Sequence, residues 1–197
     1  MNKQKIWENI KIILTAALLA LFIRAFVVQA FKIPSGSMIP TLLVGDHLLV
    51  NKFIYGLEIP FTGKKILTFK TPQRGDIVVF KFPEDPSRDF IKRVIGIEGD
   101  IVEMRNKTVY VNDKPITEPY AKYLAEPYAH TKEYFGPYLV PKGKFFVMGD
   151  NRDQSYDSRF WGYVDLNDLR GKALVIYWSW DSSKKFPRLK RIGDIVR

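Results

Sequence analysis

The sequence predicts a mainly β domain preceded by one apolar helix near the N-terminus. One long apolar run stands out near the start, and beyond it short runs rich in β-branched and aromatic residues alternate with turn signals. The composition, 46% hydrophobic and 14% aromatic, is typical of a folded core and not of a disordered chain. With 197 residues, the chain has room for about one domain and its appendages.

The first element is the apolar run IKIILTAALLALFIRAFVVQAF, which covers residues 10–31. As a helix it would rise roughly 33 Å, which is about the thickness of a bilayer core. Because lysines precede the run, we expect residues 1–31 to be a cytoplasmic N-terminus and a transmembrane anchor. Two alternatives stay open, namely a buried amphipathic helix and a signal peptide that is cleaved after Ala30.

The second part, residues 32–197, is expected to form the β-rich domain outside the cytoplasm. Residues 112–141 are rich in tyrosine and proline and are expected to form an irregular, cap-like excursion, and residues 183–197 are expected to form a basic tail. Arg105-Asn106-Lys107 is typical of a hairpin turn. Strands are predicted at His47–Asn51, Asp76–Phe82, Phe90–Ile97, Ile101–Met104, Thr108–Val111, Lys144–Met148 and Leu174–Trp178.

Charge and cysteine content exclude several function classes. The net charge of +10 is concentrated at the ends, with +3 in residues 1–31 and +5 in residues 183–197, so the body carries no obvious stripe for nucleic acid. The tail could lie against anionic lipid or be plain solvated charge. The absence of cysteine excludes disulfide scaffolds, thiol nucleophiles and zinc ribbons, and two histidines argue against a histidine-based metal site.

The stretch IPSGSMIPTL, residues 33–42, directly follows the apolar run. Two prolines restrict its backbone, and Gly36 permits a conformation that exposes its neighbours Ser35 and Ser37. A turn that leaves a membrane accounts for the same residues, so both interpretations stay open. The stretch is not G-x-S-x-G and does not predict an α/β-hydrolase nucleophile.

The stretch RDFIKRVIGIEGD, residues 88–100, places a lysine inside a strand. Alternate side chains share a face, so Lys92 points with Phe90 and Val94 into a possible apolar layer. Desolvation there would lower the pKa of Lys92 and turn it into a base. The opposite face, with Ile91, is equally apolar, so a snorkelling lysine remains the alternative.

The stretch MGDNRDQSYDSRFWG, residues 148–162, mixes carboxylates and guanidinium groups. A calcium loop would need a central glycine, which is absent, so internal ion pairs that hold a loop are predicted. Held in this way, Ser155 or Ser158 could be positioned to donate a hydrogen bond. The charged residues are Asp150, Arg152, Asp153, Asp157 and Arg159.

Together these stretches resemble the bacterial type I signal peptidase family, also called leader peptidases. The matching blocks are PSGSM, RGDIVVFKFP, DFIKRVIG and GDNRDQSYDSR, in this order after an anchor. The resemblance implies a catalytic domain of antiparallel β-sheets behind one transmembrane helix, with no metal and no cofactor. A lysine base in place of histidine would also account for the scarcity of histidine.

The resemblance also implies roles for individual residues. Ser37 would be the nucleophile and Lys92 the general base, with the Ser35 hydroxyl and the Ser37 backbone N–H forming the oxyanion hole. Ser155 would orient the lysine. Support of the surrounding loop would come from Asp150, Arg152, Asp157 and Arg159. Shallow pockets for small substrate residues would be lined by Phe31, Ile33, Met38, Leu42, Val79 and Ile91.

The implied activity is removal of signal peptides from exported preproteins, with cleavage after small residues in an Ala-X-Ala-like context. The implied location is the bacterial cytoplasmic membrane, spanned once, with the lipid bilayer as a partner, no nucleic acid, and no indication of the oligomeric state. Two other hypotheses remain. A repressor-type Ser-Lys autoprotease would carry a DNA-binding helix-turn-helix where this chain has an apolar run, and a membrane-tethered binding module would use the serines as turn residues.

Overall fold

The structure of the chain is a computed structural model, and it describes residues 3–23, 27–58, 65–67, 69–124 and 133–197. The helices are α1 (Lys3–Phe22) and α2 (Ser158–Trp161). The strands are β1 (Val28–Lys32), β2 (Asp46–Asn51), β3 (Leu57–Glu58), β4 (Lys65–Leu67), β5 (Ile77–Phe82), β6 (Asp85–Gly96), β7 (Ile101–Arg105), β8 (Thr108–Val111), β9 (Lys114–Pro115), β10 (Phe135–Leu139), β11 (Lys144–Met148), β12 (Val164–Asp165), β13 (Leu169–Asp181) and β14 (Phe186–Pro187).

The strands of the described ranges form an eight-stranded sheet, a four-stranded sheet and the β3–β4 pair. The large sheet has the order β1-β2-β13-β5-β6-β11-β12, with β14 beside β13, and the small sheet has the order β10-β7-β8-β9. Neighbouring strands pair in the antiparallel sense. The predicted mainly β fold is therefore confirmed, and β6 lies inside the large sheet between β5 and β11.

The predicted strands are confirmed, with two that extend further than expected. Strand β6 begins at Asp85, which lies opposite Phe82 of β5, and β13 runs from Leu169 to Asp181 with β2, β5 and β14 as its partners. The prediction that residues 112–141 are irregular is wrong in part. Strand β9 pairs with β8 and strand β10 pairs with β7, whereas residues 125–132 lie outside the described residues.

The predicted helix over residues 10–31 is too long at its C-terminal end. Helix α1 ends at Phe22, residues 24–26 lie outside the described residues, and Val28–Lys32 form strand β1 at the edge of the large sheet. Pairing of β1 with β2, from Val28 opposite Asn51 to Lys32 opposite His47, explains why this apolar segment is extended. No helix in the described ranges has the length and apolar character needed to cross a membrane.

The hydrophobic core sets the position of the segment between β1 and β2. Ile33, Met38 and Leu42 are buried together with β2, β5 and β13 residues in one cluster. The Leu42 N–H donates to the Met38 carbonyl at 2.9 Å, so the segment makes a short turn over the sheet. Burial of these apolar side chains on both sides of Ser37 ties the serine to the core.

The basic tail is folded against the domain. Arg191 donates to the Asp46 carboxylate through Nη2 at 2.6 Å, and Arg188 donates to Asp181 through Nε at 3.4 Å. Asp46 is fully buried and also accepts from Ser179 Oγ at 2.6 Å. A buried carboxylate needs a positively charged or hydrogen-bonding partner, and the tail arginines supply it. For Arg188 and Arg191, the prediction of a solvated or lipid-facing tail is therefore wrong.

The surroundings of Asp46 generate a stability prediction. Burial raises the pKa of Asp46, but the hydrogen bonds from Arg191 and Ser179 outweigh it and hold the pKa below its ordinary value. The stabilisation is present above the unfolded-state pKa of about 4 and is lost as the pH falls through the lower folded-state pKa. Asp46→Asn should lower the free energy of unfolding at pH 7 by about 2–3 kcal/mol, measured by urea denaturation.

The matched control for this variant is Asp113→Asn, because the Asp113 side chain is 85% exposed. Its free energy of unfolding should change by less than about 0.5 kcal/mol. Equal effects of the two substitutions, or an unchanged acid-side dependence in Asp46→Asn, would contradict the assignment of Asp46 as a buried anchor for the tail.

Candidate active site

Ser37 and Lys92 come together although they are 55 residues apart in the chain. Lys92 lies on β6 opposite Val78 of β5, and its Nζ donates to Ser37 Oγ at 2.7 Å and to the Ile91 carbonyl at 3.1 Å. Ser37 is 8% exposed and Lys92 is 4% exposed. The two groups are in hydrogen-bond contact at a site that is nearly closed to water.

The surroundings of Lys92 shift its ionisation toward the neutral amine compared with an ordinary lysine. Burial lowers its pKa to about 8, and the nearby Arg159 lowers it further, whereas the Asp157 and Asp150 carboxylates act in the opposite direction. The Nζ atom also lies 5.3 Å from the centre of the Phe90 ring, which covers the amine with an apolar face. No carboxylate within the described ranges makes a hydrogen bond to Lys92, so no anion in contact stabilises its ammonium form.

In the loop after β11, Asp157 and Arg159 form an ion pair, in a stretch where the sequence pattern predicts internal ion pairs. The Arg159 Nε and Nη2 atoms donate to the two oxygens of Asp157, and the Gly149 N–H donates to Asp157 Oδ2 at 2.9 Å. Burial raises the pKa of Asp157, but the Arg159 charge and these hydrogen bonds bring it below its ordinary value. Both side chains are buried, so the pair fixes the loop from inside.

Asp150 and Arg152 also support the loop, but their partners lie far away in the sequence. Arg93 of β6 donates to both oxygens of Asp150, at 2.8 Å from Nε and at 2.7 Å from Nη2. Arg152 donates to Glu118 from Nη1 at 2.9 Å and from Nη2 at 2.5 Å. Arg93 and Glu118 were not predicted, because ion pairs between distant residues leave no signal in one sequence.

Asn151 joins this loop to the serine loop, and it is a further residue that was not predicted. Its backbone N–H donates to the Ser37 carbonyl at 3.0 Å, and its Nδ2 donates to the Gly36 carbonyl at 3.0 Å. Both contacts leave the Ser37 hydroxyl free to face Lys92. Its place between Asp150 and Arg152, in a run of charged residues, is the sequence signal that could have pointed to it.

Ser155 lies close to the site, but it does not hydrogen-bond to Lys92. Its Oγ is buried and has no hydrogen-bond partner of normal geometry in the described part of the chain. It contributes to the polar surroundings that lower the pKa of Asp157. The expected orientation of the lysine by Ser155 is therefore not seen, because Lys92 directs its donors to Ser37 and to the Ile91 carbonyl.

The Ser35 hydroxyl and the Ser37 backbone N–H are two hydrogen-bond donors of the serine loop. Ser35 is exposed, and its hydroxyl has no partner among the residues that the structure describes. The Ser37 N–H likewise has no acceptor within those ranges. A hydroxyl and an N–H without internal partners are the kind of donors that an oxyanion hole requires.

The six residues predicted to line substrate pockets belong to one apolar cluster. Four of them have at most 2% of their surface exposed, so they form the layer beneath the site and not an open wall. Phe31 and Ile91 are only partly buried and pack against that layer. The four buried residues are Ile33, Met38, Leu42 and Val79.

As for metals, no group of three or more histidine and acidic side chains in the described ranges could hold an ion.

The class of protein follows from comparison with known families. A family model described as signal peptidase, peptidase S26, matches residues 6–178. The chain belongs to this family, and it is a serine endopeptidase of the signal peptidase I type.

Two relatives known by sequence support this assignment. The chain is 39% identical over 212 residues to a signal peptidase I of Pseudomonas fluorescens, an alignment that covers 90% of this chain and 75% of the relative. It is 42% identical over 178 residues to a signal peptidase I of Leptolyngbya laminosa, covering 87% and 79%. A crystal structure of a signal peptidase I from Enterococcus faecalis V583 has 33% identity and a TM-score of 0.46, covering 53% of this chain and 98% of that chain.

Gly149 generates a prediction for the site, because a side chain there has no room. A Cβ atom built on Gly149 would lie 2.5 Å from the Ser37 carbonyl oxygen and would overlap Ser155 Oγ. Gly149→Ala should therefore displace the serine loop and lower kcat by about 100-fold, the loss typical of a misplacement of about 1 Å. The measurement is steady-state cleavage of a short Ala-X-Ala peptide by the full chain in detergent.

The control is Gly143→Ala, since Gly143 has a φ of +74° and open space around it. That variant carries backbone strain without a steric clash at the site, so its melting temperature should fall while kcat stays unchanged. A kcat for Gly149→Ala as high as that of Gly143→Ala would show that the loop tolerates displacement.

Proposed function

We propose that the chain cleaves signal peptides from exported preproteins with a Ser-Lys dyad, in which Ser37 is the nucleophile and Lys92 is the general base. The observation that carries this proposal is the 2.7 Å contact between two buried atoms, Lys92 Nζ and Ser37 Oγ. Signal peptidase is the printed description of the family, and the relatives are called signal peptidase I. This is the basis for the substrate class.

The reaction begins with the neutral amine of Lys92. It takes the hydroxyl proton of Ser37 while Oγ attacks the scissile carbonyl carbon, which becomes a tetrahedral oxyanion. The ammonium then returns the proton to the leaving amine as the C–N bond breaks, and an ester to Ser37 remains. In the second half, Lys92 takes a proton from water, hydroxide adds to the ester, and Ser37 leaves with the proton from Lys92.

The lowered pKa makes the amine available at physiological pH. With a pKa of about 8, about one Lys92 in ten is neutral at pH 7, compared with about one in three thousand for a lysine of ordinary pKa. Arginine cannot take this role, because a guanidinium group keeps its proton. The base therefore depends on burial and not on the lysine alone.

The oxyanion is assigned to the Ser35 hydroxyl and the Ser37 N–H, and the loop ion pairs are proposed to keep the site around the lysine in place. Phe31 and Ile91 are the proposed contacts for the small substrate residues, above the buried layer of the predicted pocket residues. We propose that small substrate residues, in an Ala-X-Ala-like context, lie against these two side chains.

Membrane attachment belongs to the same proposal. We assign the N-terminal residues that precede strand β1 to the bacterial cytoplasmic membrane as a single-pass anchor, with their lysine-rich start inside and the β domain outside. The apolar residues of α1 are exposed to a large degree, Ile12 at 66% and Leu18 at 67%, and exposed apolar surface of this kind needs a partner. A lipid bilayer is the proposed partner.

The dyad is tested by comparing substitutions of Ser37 and Lys92 on an exported preprotein. Ser37→Ala should abolish cleavage, and Lys92→Arg should be nearly as inactive as Lys92→Ala because arginine retains the charge but cannot accept a proton. In the wild-type protein, kcat/KM should fall on the acid side with a midpoint near 8. His47→Ala serves as a control and should leave that acid limb in place.

Substantial cleavage by Lys92→Arg would contradict the role of Lys92 as a base. An acid limb that disappears in His47→Ala would also contradict it. Full activity of Ser37→Ala would contradict the nucleophile assignment.

The oxyanion assignment predicts different kinetic effects for substitutions of Ser35 and Ser37. Ser35→Ala should lower kcat by about 10²- to 10³-fold with little change in KM, because the lost hydrogen bond forms in the transition state. Ser35→Thr retains a hydroxyl and is the matched variant that should recover part of the rate. An effect of Ser35→Ala on KM alone would instead assign Ser35 to ground-state binding.

A further inference from the structure

The segment 118–124 runs along the outside of the loop that carries Asp150 and Asn151. The Lys122 N–H donates to the Asp150 carbonyl at 2.7 Å, and the Arg152 N–H donates to the Lys122 carbonyl at 2.9 Å. These bonds form a short parallel bridge between Lys122 and Asn151. We call residues 118–124 the strap, since its backbone is bonded directly to the backbone of the loop.

The strap ends are fastened by side chains. Glu118 accepts hydrogen bonds from both terminal nitrogens of the buried Arg152. At the other end, the Leu124 N–H donates to Asp153 Oδ2 at 2.7 Å. Arg152 has a side-chain exposure of 0% and Glu118 of 8%, so this ion pair is shielded from solvent. The residues between these two contacts are therefore fixed in position against the loop.

Arg93 lies beneath the middle of the strap, and its in-plane donors are occupied. Its Nε and Nη2 donate to Asp150, and its Nη1 donates to the Gly75 carbonyl at 2.9 Å. A guanidinium group is planar, so after its edges are bonded its two faces remain to be covered. Arg93 is 2% exposed, and the faces must therefore be covered by protein.

Tyr120 of the strap covers one of these faces. Its ring centre lies 3.7 Å from the Arg93 Cζ atom, which is a close stacking contact. The Tyr120 hydroxyl donates to Glu118 Oε1 at 3.1 Å, and this bond orients the ring. Tyr120 is not a member of the apolar core clusters in the described ranges, whereas its neighbour Tyr123 packs against one of them. The contact of its ring with Arg93 therefore stands apart from core packing.

From Arg93, a continuous set of bonds leads to Ser37. Asp150, which Arg93 holds, accepts from the Thr41 hydroxyl at 2.5 Å, and the next residue, Asn151, donates to the Ser37 carbonyl. The same two loops thus depend on the orientation of one arginine. If Arg93 tilts, both attachments of the serine loop shift.

We propose that Tyr120 is a positioning residue for the Ser37 reaction, acting through its stacking contact with Arg93. It touches neither Ser37 nor Lys92 in any bond of the structure's described part. It keeps the Arg93–Asp150 pair aligned, and this pair keeps Asn151 against the serine loop. The inference rests on the proposed function, because it takes cleavage at Ser37 as its readout.

The test compares Tyr120→Leu with Tyr120→Phe in the full chain in detergent, well below the melting temperature of each variant. Loss of a desolvated cation–π contact predicts a fall in kcat of about 10- to 30-fold for Tyr120→Leu. KM should stay within about twofold, because the loss concerns alignment at the nucleophile. Tyr120→Phe retains the ring and should keep kcat within about threefold of the wild type.

The matched control is Tyr134→Leu, a tyrosine from the same region that is 61% exposed and bonds to Asn106. Its kcat should equal that of the wild type. If Tyr120→Leu does not fold, Tyr120→Met refills the volume with a flexible apolar side chain and carries the same prediction. Failure of both to fold, while Tyr134→Leu folds, would assign Tyr120 a purely structural role and overturn the proposal.

An unchanged kcat in folded Tyr120→Leu would also overturn the proposal, as would an equal loss in Tyr120→Phe. Ser37→Ala is measured in parallel. If Ser37→Ala is inactive and Tyr120→Leu is fully active, the positioning role alone fails. If Ser37→Ala is active, the proposed function fails and the positioning role falls with it.

Discussion

The rest of the structure depends on keeping the Lys92 amine shielded from water and in hydrogen-bond contact with Ser37. Transfer of an ammonium group out of water is costly, and this cost lowers the pKa of the lysine. Strand β6 supplies the dry position because it lies inside the large sheet, with β5 on one side and β11 on the other. The serine arrives from a turn whose apolar residues are anchored in the core of the same sheet. The buried amine and the anchored hydroxyl, which are the proposed base and nucleophile, are thus two results of one packing arrangement.

The charged residues around the site hold a polar loop in place without bringing a carboxylate into hydrogen-bond contact with Lys92 in the described residues. The arginines of this region each bind an acidic group: Arg93 binds Asp150, Arg152 binds Glu118 and Arg159 binds Asp157. Buried pairs of this kind add little net stability compared with apolar packing, but removal of one partner strongly destabilises the folded protein because the other charge stays buried. Their value here is therefore geometric, because they fix loop positions while the neutral form of the lysine remains accessible.

Much of the fold could be predicted from the sequence, because β-branched runs and Gly-Asp turns are local signals. The contact of Lys92 with Ser37 was predicted only through the family resemblance, since both faces of β6 are apolar and the pattern leaves the direction of the lysine open. Glu118, Arg93 and Asn151 were missed because their partners are distant in the chain. The helix end at Phe22 was misplaced because pairing of Val28–Lys32 with β2 is a tertiary effect that apolar composition does not reveal. The role that the family resemblance implied for Ser155 is not seen, because its hydroxyl makes no hydrogen bond to Lys92.

The most direct measurement of the central claim is an NMR titration of Lys92 itself. The protein, labelled with ¹³C at the lysine ε-carbon, would be titrated in detergent, and the Lys92 signal would be assigned by its absence in Lys92→Arg. A buried base in contact with Ser37 predicts a titration midpoint near 8, well below those of the exposed lysines in the same spectrum. A midpoint at the ordinary lysine value of about 10.4 would contradict the account, because Lys92 would then be an ammonium ion at the pH at which it must accept a proton.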